Sequence, residues 1–98
     1  MIFMVQCFDK PDSLDVRMET RPAHLEHAAS LGDNLLLAGP MLNQETGKPM
    51  GSLLLIDVED RAAADAFAEA DPYAQAGLFE VVMISPWMAA AGSWKPAD

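Results

Sequence analysis

At 98 residues and 51% hydrophobic content the chain has the length of one domain with a modest core, and that composition excludes intrinsic disorder. A formal net charge of -9 repels phosphate backbones and excludes nucleic acid as a partner. The longest apolar runs, Leu35-Leu36-Leu37-Ala38 and Leu53-Leu54-Leu55-Ile56, are too short to cross a bilayer, which excludes a membrane protein of the helical kind.

Met1-Ile2-Phe3-Met4-Val5 has no basic residues ahead of it and reads as a strand, not a signal peptide. The single Cys7 cannot form an internal disulfide, which fits a reducing, cytoplasmic setting. No Cys/His cluster has zinc-like spacing and the methionines are scattered as gap-fillers, so no metal or cofactor is expected.

Strand formers without a breaker predict a first strand over about residues 1–8, and Asp9-Lys10-Pro11-Asp12 turns the chain. Asp12-Ser13 supplies an N-cap, Asp15 suits a first helical turn, and Gly32 closes a mainly helical segment over about 12–32. Pro22 is expected to kink or split that helix near Thr20-Arg21. Leu35 to Leu42 is a second strand, residues 43–49 a polar turn, and Met50 to Val58 a hairpin partner. An Ala-rich helix follows over about 60–70, with Ala63, Ala66, Phe67 and Ala70 at helical spacing. Asp71-Pro72 reads as an N-cap with proline at N1 of a short turn that Gly77 ends, and Leu78 to Trp87 is the last strand. Residues 89–98, Ala-rich with Gly92 and Pro96, form an irregular tail to this single domain, 1–98.

The order β-α-β-β-α-β is that of a ferredoxin-like α+β subunit, an antiparallel four-stranded sheet with helices on one face. Such a sheet alternates apolar and polar residues when its other face is wet. Here strands one, three and four are apolar on both faces, so the second face needs a cover. A second copy of the sheet is the economical one, and a homodimer packed sheet to sheet is expected.

On a wheel at about 100° per residue, Met18, Leu25, Ala28 and Ala29 fall within about 60° of Leu14. Asp15, Glu19, Glu26 and His27 make an outward, solvated face. Arg17, Arg21 and His24 lie between, along one edge of the apolar stripe, at i, i+4 and i+7. Three of only six Lys and Arg residues, Lys10, Arg17 and Arg21, thus cluster in the first third, where an anionic ligand would find its cations. Each of these residues also has a structural reading. The arginines can snorkel and pair with carboxylates, His24 can be a satisfied half-buried histidine, and Asp71 can simply cap a helix. Cys7 reads as a small buried hydrophobe. Tyr73 either walls a pocket or packs. Gly39-Pro40 either admits a ligand to the backbone or ends a strand, and Ser52 without a spaced His is weak evidence for a nucleophile.

The combination Asp9-Lys10-Pro11-Asp12-Ser13-Leu14, Arg17, Arg21-Pro22-Ala23-His24-Leu25, Ala38-Gly39-Pro40-Met41 and Ala70-Asp71-Pro72-Tyr73, with Ala76-Gly77 and Pro86 before an aromatic, resembles the YciI family (YCII-related domain). The likeness spans about residues 1–87. It implies a dimeric α+β barrel of ferredoxin-like subunits, in the superfamily of muconolactone isomerases and cofactor-free monooxygenases. It also implies an active site built on a His-Asp pair, matched here by His24 and Asp71. Trp87 stands where the family has Phe, and the tail from Met88 is longer and Ala-rich.

These features together predict a small cofactor-free enzyme of the lyase or isomerase type. His24 would be the general acid/base and Asp71 would orient its imidazole. Arg17 and Arg21 would hold a carboxylate or phenolate-like oxygen of a small, oxygenated, anionic ligand, with Gly39, Ser52 and Tyr73 lining the pocket. The rival expectation is a non-catalytic ligand-binding module using the same pocket.

Overall fold

The computed structural model describes residues 1–94. Its elements are β1 (Ile2–Asp9), α1 (Leu14–Ala29), β2 (Leu35–Leu42), β3 (Pro49–Asp57), α2 (Arg61–Ala70), a four-residue α3 (Pro72–Gln75) and β4 (Phe79–Pro86). The sheet runs β2-β3-β1-β4, and each neighbouring pair is antiparallel. This is the expected ferredoxin-like arrangement, in which β3 inserts between β1 and β2.

Alternation along β1 decides the layers. Phe3, Val5 and Cys7 point to the helices and are buried with Leu54 and Ile56 of β3 and Ala64 of α2. Register puts Gln6 and Phe8 on the opposite face, beside Leu53 and Gly51 of β3 and Met83 and Val81 of β4. Leu37, Leu53, Val81 and Met83 are all exposed there. Gly51 permits the close packing of this region. A Cβ on it would strike the Met41 methyl group and would come to 2.5 Å of the Cys7 carbonyl oxygen.

Three expectations for the first helix change. The α-helix runs unbroken from Leu14 to Ala29 with Pro22 inside it, neither split nor interrupted. Pro22 and Met18, whose carbonyl loses its partner, both lie on the exposed side, where water can replace the missing bond. The helix also ends before Gly32, which instead opens a single 3-10 turn at a φ of 56°.

Most consequential is its rotation. Arg17, His24 and Ala28 are buried, while Met18 and Leu25 of the supposed core stripe are about half exposed at 53% and 46%. Two members of the charged edge, Arg17 and His24, face inward and find partners there, while Arg21 stays exposed. His27, expected outward, is half-buried. Its Nε2 pairs with the Phe67 carbonyl oxygen at 2.9 Å and its ring stacks on Phe67 at 4.3 Å.

After β4 the chain from Ala89 to Trp94 has neither helix nor strand, in line with the irregular tail; residues 95–98 of that expected tail lie outside the described residues. No helix among the described residues is long and apolar enough to cross a membrane.

Candidate active site

Asp71 sits at the joint between α2 and α3, held in non-helical geometry with Pro72 fixing the first turn behind it. Its Oδ1 accepts the backbone N–H of Tyr73 at 2.9 Å, the N-cap bond that the Asp-Pro sequence announces. The same carboxylate takes His24 from α1. Nδ1 lies 2.9 Å from Oδ1 and 3.0 Å from Oδ2. A carboxylate only accepts, so Nδ1 carries the proton and donates it. Both residues are buried, Asp71 at 3% and His24 at 8% exposure.

The other imidazole nitrogen is left over. Nε2 of His24 has no partner among the described residues, yet no fully buried side-chain nitrogen or oxygen there lacks one. Nε2 is therefore not fully buried and keeps some exposure to solvent. This is the arrangement of a histidine oriented from one side and available on the other.

Arg17 is buried two turns earlier on α1. Its Nε and Nη2 donate to the two carboxylate oxygens of Asp9 at 2.7 and 2.8 Å, and Nη2 also donates to Ser52 Oγ at 3.0 Å. Burial works against the guanidinium charge and the Asp9 carboxylate outweighs it, so Arg17 is held protonated more firmly than an ordinary arginine. Its guanidinium carbon lies 4.5 Å over the Tyr73 ring. Tyr73 in turn stacks on His24 with ring centres 4.1 Å apart and meets Phe79 edge-on. Burial raises the Tyr73 phenol above its usual range, with Arg17 and Arg21 opposing and Asp71 reinforcing the shift.

The geometry thus brings together His24, Asp71, Tyr73, Arg17 and Ser52. Arg21 stands exposed at the margin, with no hydrogen bond or ion pair among the described residues, its charge felt at the Tyr73 hydroxyl. Gly39 is elsewhere. It pairs with Leu53, whereas its neighbour Pro40 pairs with Ser52, so alternation sets Gly39 on the open face of the sheet.

Asp9 is the residue that the sequence reading missed, because it looks like part of a turn. Continuing the inward sequence Phe3, Val5, Cys7 by two reaches it, and its carboxylate meets Arg17 there. Cys7 lies among these groups without joining them. Burial, helped by Asp71 and Asp9 and opposed by Arg17, pushes its thiol up to about 12, so it stays protonated and inert. Among the described residues no group of three or more His, Cys, Asp or Glu side chains is arranged to hold a metal ion.

Comparison with known proteins places the chain in a family. The YCII-related domain matches residues 1–88. Protein YciI of Escherichia coli is 39% identical, over 89% of this chain and 96% of its own, and an uncharacterized Haemophilus influenzae protein is 30% identical over the same shares. Among solved structures, 5-chloro-2-hydroxyhydroquinone dehydrochlorinase (TftG) of Burkholderia phenoliruptrix AC1100, in complex with 2,5-dihydroxybenzoquinone, is similar with a TM-score of 0.88. It is 32% identical over 92% of this chain and 96% of that one. An antibiotic biosynthesis monooxygenase shares the fold alone, with a TM-score of 0.53 and 16% identity over 91% of this chain and all of its own. With the YCII-related domain over nearly its whole length and relatives of this closeness, the chain belongs to the YciI family.

Proposed function

We propose that this protein is a small enzyme that performs acid–base chemistry on a hydroxylated six-membered ring, with His24 Nε2 as the group that moves the proton. The observation that carries the reading is the buried His24–Asp71 pair, fixed through Nδ1 and free at Nε2. Arg21, a cation at the margin without a partner among the described residues, and the neutral Tyr73 hydroxyl are the groups that would receive phenolate or quinone oxygens. Arg17 is already engaged by Asp9 and Ser52, which leaves Arg21 as the ligand holder. A dehydrochlorinase with a quinone bound, at 32% identity, supports this substrate class.

The chemistry asks only for proton movement. His24 takes a hydroxyl proton and delivers it to the ring carbon that carries the halogen. Loss of a second hydroxyl proton then expels halide as its carbon–halogen bond breaks. The ring leaves as a quinone, one hydrogen halide lighter, with no external oxidant. The test is halide release from a chlorinated trihydroxybenzene under anaerobic conditions. Wild type should release chloride, and His24→Ala and Asp71→Asn should each lose about 100-fold or more in kcat, the usual worth of a positioned acid/base. No release above buffer, or unchanged rates in both variants, would sink the mechanism. Thermal stabilisation by 2,5-dihydroxybenzoquinone without any consumption of chlorinated rings would identify a binder instead. The partner in this reading is a second copy of the chain, seated on the open apolar face of the sheet.

A further inference from the structure

We propose that the buried Asp9–Arg17 ion pair is a positioning device for His24, acting through the ring of Tyr73. The proposal rests on His24 being the proton-moving group, and it concerns how the imidazole is held. Asp71 grips His24 by one edge only, through Nδ1. A ring held at one edge is still able to tilt about that contact, and a tilt carries Nε2 away from the substrate. Displacement of a reacting group by about 1 Å is enough to lower rates by about 100-fold.

The face of the imidazole is blocked by Tyr73, stacked at 4.1 Å with an angle of 17° between the rings. Arg17 lies 4.5 Å from the centre of that same tyrosine ring. Two planar groups whose centres both lie within 4.5 Å of one ring centre crowd each other on a single face, so we place Arg17 and His24 on opposite faces with Tyr73 clasped between them. Seven residues on a helix climb about 10.5 Å, so the two side chains must lean toward each other to reach the one ring at 4.1 and 4.5 Å from its centre. The clasp is firm because the guanidinium plane is itself fixed by its hydrogen bonds to Asp9 and Ser52, with the Arg17 and Asp9 side chains only 4% and 6% exposed. Phe79 meets Tyr73 edge-on, opposing a slide within the plane. Asp9 and Arg17 therefore set the position of a nitrogen they never touch. A stacked, planar, forked guanidinium is needed for this, and a lysine cannot supply it.

The test uses the double variant Asp9→Asn/Arg17→Gln, which neutralises both partners at similar volume and leaves no buried unpaired charge. Two readouts are taken. The imidazole Cε1–H proton of His24, shielded by the Tyr73 ring, should move downfield toward the position of an unstacked histidine. With a turned-over ring substrate, kcat should fall at least 10-fold while KM stays within twofold. Tyr73→Phe retains the ring and should leave the His24 signal in place, whereas Tyr73→Leu should move it as the double variant does. An unmoved signal in the double variant overturns the proposal, as does a loss confined to KM. The proton signal needs no substrate. A shifted signal in a protein that turns nothing over supports the clasp and refutes the enzymatic reading alone.

Discussion

The two faces of the one sheet invert the usual rule of what is hidden. The helix-covered face buries Asp9, Arg17, His24 and Asp71, four ionisable groups in a small core, whereas the open face leaves Leu37, Leu53, Val81 and Met83 exposed. Burying charge is costly unless every charge is matched. Here each is matched: Asp9 with Arg17, His24 with Asp71, and no fully buried polar side-chain atom among the described residues lacks a partner. Among the described residues the open face carries no comparable polar network. The contrast teaches that the helix face is organised by specific partners, whereas the open face offers area that a second copy can cover.

The largest effect expected from breaking this contrast is on molecular mass. Met83 lies beside Gln6 on the open face, and Met83→Lys sets a charge amid the apolar patch. The wild-type protein should sediment as two copies at micromolar concentration and the variant as one. A single-copy wild type would remove the sheet-to-sheet dimer. On the helix face, Arg17→Met strands the Asp9 carboxylate, and denaturant unfolding should show a loss of about 3–5 kcal/mol. A loss below about 1 kcal/mol, the range of an exposed pair, would mean that the face tolerates unpaired charge and that the matching described above is incidental.

A smaller effect separates the faces by pH. Cys7 titrates near 9.0 when free and is pushed up to about 12 in the fold, and the Tyr73 phenol is also raised. Both groups are neutral when protonated, and the fold favours that form. Their contribution is complete below pH 9 and is lost as the pH climbs from 9 toward 12, because the unfolded chain ionises first. Denaturation midpoints should therefore fall over that window, and less steeply in Cys7→Ala. Midpoints that rise with alkalinity would contradict the direction of both shifts.

Most of the architecture was legible because it is written in local signals. The polar turn and the Asp-Pro cap bracket the strands, and β2 falls on Leu35–Leu42 as read. Asp71 was legible for the same reason, since capping is a property of adjacent residues. The rotation of α1 was not. A wheel gives the angles between side chains but not which side faces the sheet, and on this helix apolar content did not decide it. What decided it was Asp9 and Asp71, lying 8 and 47 residues away from their partners in the chain. Tyr73 shows the same limit. Its place at the end of a short cap was readable, but its contacts with Arg17 and His24 depend on two elements meeting in space. Gly39 was drawn toward the site by its neighbour Pro40, and strand alternation sends it to the other side of the sheet.

Asp71 and Tyr73 both touch the imidazole, one at its edge and one across its plane, and a single proline separates them. The carboxylate of the first accepts the backbone N–H of the second. Three consecutive residues thus form a jaw whose two sides cannot be adjusted independently. Lengthening the segment by one residue would open both at once, whereas a shift of the whole α2–α3 joint would carry the histidine with it and keep the bite. A helix start has become a gripping tool with a fixed gape.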